Sequence, residues 1–191
     1  MVLTATPVSD REFIVKFTNK TSYLTSLSFC ESWIRDGRGA EIIPAEMRPG
    51  FEDTPVCAAR WHSLAAQSDA QGMPKGAEDF FSSDLSDAAL AETFGRLPAE
   101  VPLAVLYSEK DEFVPEYVDK EALVRRWGEV VEAHGGRFHG VVVKGANHSL
   151  DDVSAEVVER FVGELKGFLE SVTGTTATVN GGQSDVESSD K

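Results

Sequence analysis

The chain has 191 residues, 41% of them hydrophobic, with 32 acidic against 18 basic side chains and a formal net charge of −14. That length supports one sizeable core, and so acidic a chain has no bulk attraction for nucleic acid or an anionic membrane. Two cysteines without CxxC spacing exclude a disulfide framework or a cysteine zinc site, and neither a signal peptide nor an apolar run of membrane-spanning length is present, so a soluble cytoplasmic protein is the expectation.

In chain order, the apolar run from Val2 to Thr6 reads as a buried strand ended by Pro7. Ser9 or Asp10 then caps a helix. Residues 11–35 place Phe13, Phe17, Tyr23, Leu24, Leu27, Trp33 and Ile34 at helical spacings, with a break near 18–21 and a stop at Gly37 and Gly39. Cys30 there reads as a small buried hydrophobe. Residues 41–54 carry Pro44, Pro49 and Gly50 and read as a loop. Residues 57–66 read as a short helix with Trp61 and Leu64, and 67–78 as loop again. Ser86 or Asp87 can cap a helix over 88–94, closed by Gly95. Irregular residues 37–87 between two strands suit a lid-like insertion over the active edge of a parallel α/β fold.

The run 101–107 alternates little and reads as a strand buried on both faces. A helix over 119–134 turns Leu123, Trp127, Val130 and Val131 to the sheet and ends at Gly135 and Gly136. A strand over 137–143 follows. Residues 153–172 form an amphipathic helix with Val157, Phe161, Leu165, Phe168 and Leu169 on one face. Residues 173–191, rich in Thr, Ser, Gly and Asp, read as a disordered tail, leaving 1–172 as a partial domain.

Strand, loop, helix, strand, loop over 101–152 is a parallel βαβ unit. In open parallel sheets the chemistry gathers beyond the carboxyl ends of the strands. Asp111 lies in the first of these loops and His148 in the second, after Gly145. An acid that orients an imidazole is two-thirds of a catalytic triad, and acid before base is the chain order of the α/β-hydrolases. Glu109 and Glu112 are rival acids in the same loop. The nucleophile elbow, Gly-x-Ser-x-Gly, occurs nowhere in the chain, and Ser22, Ser26, Ser28 and Ser32 fall in a helical region. His62, His134 and His139 form no metal-like cluster and Gly-rich phosphate loops are absent, so no metal and no cofactor are expected.

Several stretches carry a resemblance: Ala5-Thr6-Pro7-Val8-Ser9-Asp10-Arg11-Glu12, Trp61-His62-Ser63-Leu64-Ala65, Phe80-Phe81-Ser82-Ser83-Asp84-Leu85, Ser108 to Pro115, Asp119-Lys120, Arg126-Trp127 and Gly145-Ala146-Asn147-His148. In them the chain resembles the C-terminal part of the α/β-hydrolase superfamily, and more closely a fungal α/β-hydrolase-like family of unknown function with esterase-like members. The resemblance covers residues 2–170. It implies the C-terminal portion of an α/β-hydrolase sheet, about three parallel strands with flanking helices, the N-terminal half and its elbow being absent. It further implies Asp111 as triad acid, His148 as triad base, and hydrolysis of a small-molecule ester or related acyl bond by full-length members. Two readings follow. The chain is the C-terminal part of a serine hydrolase, inactive alone; or it is a non-catalytic, hydrolase-derived binding protein. Val2 to Thr6, central in a full sheet, becomes in this chain an apolar, unprotected edge, which on the second reading a binding partner would cover.

Overall fold

A computed structural model describes residues 10–66 and 79–174. The expected strand from Val2 to Thr6, the loop 67–78 and the tail beyond residue 174 lie outside the described residues. Helices α1 (Arg11–Thr18) and α2 (Lys20–Arg35) meet at Asn19, where the sequence places the break. Each begins on a side-chain cap. The Asp10 carboxylate accepts from the Glu12 amide at 2.9 Å and the Asn19 side chain from the Ser22 amide at 3.0 Å. Asn19 stands at φ +59° and ψ 147°, outside the left-handed helical region and uncommon for a residue with a side chain, and it ends α1 sharply.

The loop read over 41–54 contains a 3-10 turn, Ala45–Met47, and Ile42 makes an antiparallel bridge to Cys57. Helix α3 (Ala58–Ala65) follows. Helix α4 (Asp87–Thr93) starts one residue earlier than read, capped by the Ser86 hydroxyl, which accepts from the Ala89 amide at 3.2 Å. It does not stop at Gly95 but tightens into a 3-10 turn, Phe94–Arg96. Phe94 is buried against Trp127, which draws this turn onto the next helix.

Strand β1 (Leu103–Ser108), helix α5 (Lys120–Ala133) and strand β2 (Phe138–Val143) form the βαβ unit. The strands pair in parallel from Leu103 opposite Phe138 to Ser108 opposite Val143. Helix α6 (Ala155–Thr173) packs on both. Its inward face is narrower than the sequence suggests: Phe168 is buried, but Leu169 is 46% exposed. The two described strands offer a helix only a narrow surface, so a stripe five side chains wide cannot be covered.

Two hydrophobic clusters result. One gathers around Trp127, which is fully buried and touched by the rings of Phe81, Phe94 and Tyr107. The other holds α1, α2 and α3 together through Ile14, Tyr23, Cys30, Trp61 and Ala65. Burial, with smaller contributions from Cys57 and Glu31 nearby, pushes the Cys30 thiol up to about 12, which makes it the apolar filler the sequence indicates. Arg11, only 5% exposed, joins α1 to the segment that enters α4. Its guanidinium donates to Asp79 at 2.6 Å and to Asp84, and its amide to the Ser82 hydroxyl at 2.8 Å. Burial opposes its charge, but the two carboxylates outweigh that and hold its pKa above the ordinary value.

Candidate active site

Because β1 and β2 are parallel and in register, both open into loops at one edge. Backbone bonds join the loops: the Glu109 amide donates to the Val143 carbonyl at 3.2 Å and the Lys110 amide to the Ala146 carbonyl at 2.8 Å. Gly145, at φ +80°, supplies the turn that brings His148 back over the first loop.

His148 Nδ1 lies 3.1 and 3.0 Å from the two carboxylate oxygens of Asp111. Asp111 is 6% exposed, and the amide of Phe113 donates to its Oδ1 at 2.9 Å. A carboxylate so held fixes Nδ1 as the protonated nitrogen and leaves Nε2 as the basic one, the tautomer a general base requires. Of the three acids in the loop, Asp111 is the one bonded to the ring. The rivals grip the backbone of the histidine loop instead. Glu112 accepts from the His148 amide at 3.1 Å, and Glu109 from the Gly145 amide at 2.8 Å. The Gly145 amide and then Lys144, whose amine is 3.2 Å away, hold the Glu109 carboxyl below its usual range.

Two further residues shape the pair. Lys120, in the first turn of α5, donates from Nζ to the carbonyls of Glu109 at 2.7 Å and Asp111 at 3.1 Å. Burial lowers its pKa, against the pull of the Asp111, Glu109 and Glu112 carboxylates. The Phe113 ring meets the imidazole edge to face, with centroids 4.6 Å apart. Neither residue stands out in the sequence. The signal available was position: one lies two residues past the acid, the other opens the crossover helix.

Ser26, one of the helical serines, donates to the Met47 carbonyl at 2.6 Å and accepts from Trp61 Nε1 at 2.7 Å, a buried structural link. Among the described residues no three His, Cys, Asp or Glu side chains gather as metal ligands, and no helix is long and apolar enough to cross a membrane. His62 is buried, with Nε2 3.6 Å from Glu31. His139 pairs with Glu164 at 3.3 Å.

A family model described as "Protein of unknown function (DUF1749)" matches residues 2–170. Esterase AN6793 of Emericella nidulans is 38% identical over 136 residues, which take in 65% of this chain and 36% of that protein. Fusarinine C esterase sidJ of Aspergillus fumigatus is 32% identical over 207 positions, 87% of this chain and 53% of that protein. Among solved structures, siderophore hydrolase EstB from Aspergillus fumigatus superposes with a TM-score of 0.68 at 26% identity, over 91% of this chain and 57% of that one. The chain thus spans about half or less of the length of the curated relatives it matches. These relatives agree with the esterase-like resemblance read from the motifs, and the superposition agrees with an α/β fold.

Proposed function

We propose, from the premise that the chain belongs to the DUF1749 family of proteins of unknown function, that it carries the acid and the base of a serine-dependent ester hydrolase. The observation that carries this reading is the Asp111–His148 pair, bonded at 3.0 Å beyond the carboxyl ends of two adjacent parallel strands. In the reaction, a serine hydroxyl attacks the ester carbonyl. His148 Nε2 takes the serine proton and returns it to the leaving alcohol. A second cycle with water releases the acid. Asp111 orients the ring and stabilises the imidazolium that forms.

The nucleophile comes from polypeptide outside these 191 residues, because no elbow pentapeptide lies within them. The isolated chain therefore leaves esters intact. On this reading the insertion expected over residues 37–87 serves the complete hydrolase as a lid-like part. The names of the relatives make a siderophore ester such as fusarinine C the first substrate to try. The missing elbow also favours a second reading, a hydrolase-derived binding protein without turnover, in which a partner covers the strand expected from Val2 to Thr6.

The test joins the chain to the upstream half of the Aspergillus fumigatus fusarinine C esterase and measures hydrolysis of fusarinine C and a p-nitrophenyl ester. The joined protein is expected to turn over, and His148→Ala to lower kcat by about 10⁶-fold, the scale seen in a studied serine protease. Turnover that survives His148→Ala would sink the hydrolase reading. A folded but silent joined protein favours the binding reading.

A further inference from the structure

Helix α1 has two apolar faces. Ile14 points into the cluster shared with α2 and α3. Phe13 and Phe17 lie outside that cluster, and Phe13 faces the loop of the acid. The Phe13 ring meets the Phe113 ring edge to face at 5.2 Å and stacks on the Phe17 ring at 5.6 Å, inclined by 14°. Phe113 in turn touches the imidazole of His148. A continuous row of rings thus runs from the catalytic histidine to Phe17, which is 66% exposed.

The row ends at a cleft of about 570 Å³ where Phe17, Thr18, Pro49 and Gly50 stand beside the polar Ser22, Glu46 and Glu52. Gly50, at φ +80°, matters there: a Cβ would stand 3.0 Å from the Phe17 ring, so glycine lets this wall approach it. Aromatic side chains left partly open next to a reacting group hold an apolar body at low entropic cost, since each has only two side-chain torsions.

We propose that Phe113, Phe13 and Phe17 form an aromatic ledge for the non-reacting part of the ester, and that its substrates carry an extended apolar segment. The proposal rests on the hydrolase reading for its orientation, because the row starts at the imidazole that would serve the carbonyl. The ledge itself is a binding surface and needs no turnover.

It is therefore tested on the 191-residue chain by titration with methyl esters from butanoate to decanoate, following the His148 and Phe113 ring resonances by NMR. A fully buried methylene is worth about fourfold in affinity, and a one-sided ledge about half that burial, so about twofold per methylene is expected. Phe17→Ala should abolish the gain for the outermost methylenes and leave the butanoate affinity in place. Phe17→Leu should restore part of it. Because Phe17 is exposed, the fold survives these changes, and a melting curve checks this. Affinity that does not depend on chain length, or a dependence unchanged in the Phe13→Ala/Phe17→Ala double variant, overturns the ledge. Length-dependent binding by a protein that proves hydrolytically silent when joined to the upstream half would leave the ledge standing and fail only the hydrolase reading.

Discussion

A carboxylate that meets Nδ1 with both oxygens does its work by being only an acceptor. Asp111→Asn keeps the shape and offers an amide that can present its NH₂ to the ring, which favours the wrong imidazole tautomer. In the joined hydrolase we expect kcat to fall by about 10⁴-fold with little change in KM, measured under single-turnover and steady-state conditions. An equal loss in both constants, or a loss of fold, would remove the orienting role from Asp111. The pair itself was legible in the sequence, because each member follows an apolar β-branched run directly, and such runs end where loops begin. Choosing Asp111 over Glu109 and Glu112 was less secure. The three acids lie within four residues, and their directions depend on which loop they face. The structure turns the two glutamates onto backbone amides of the histidine loop. Lys120 falls in a motif that carries the resemblance, but its role was not legible, since a lysine opening a helix looks like any solvated cation until the carbonyls it bonds are known.

At the scale of elements, the sheet edge depends on one glycine. In β2 the Phe138 ring folds back over Gly140, where a Cβ would lie 2.3 Å from the ring and 2.6 Å from Val124. Gly140→Ala is expected to destabilise the chain by about 1–3 kcal/mol, the usual cost of overpacking, with an unchanged urea m-value. A neutral result would mean that the ring swings clear. The sequence shows this strand through Val141, Val142 and Val143 but conceals why a poor strand former sits within it. The reason is the neighbour two residues away and the helix above. Helix periodicity was read well where a helix packs on a broad surface, as in α5 with Leu123, Trp127 and Val131. It failed for Leu169 of α6, because periodicity reports which residues share a face and not how wide the opposing surface is.

At the scale of the whole molecule, Arg11 is the point where the three-helix cluster meets the segment leading into α4. Arg11→Met would leave Asp79 and Asp84 without their cation, and Asp79 is buried. Breaking such a pair from one side costs about 3–5 kcal/mol. We expect the parent chain to unfold in one cooperative transition and the variant in two, checked by near-ultraviolet circular dichroism against urea. A uniform shift of one transition would mean that the clusters do not separate. The sequence shows Arg11 beside a helix cap but gives no sign that its partners lie about 70 residues away. Two clusters joined by a charged clamp need not open together. In hydrogen-exchange terms we expect them to behave as two foldons, with the opening that frees α1, α2 and α3 the lower in energy. Amides of β1, β2 and α5 would then stay protected in a population whose three-helix cluster has already exchanged, so the loops bearing Asp111 and His148 would keep their register while α1 and its Phe13 ring come and go.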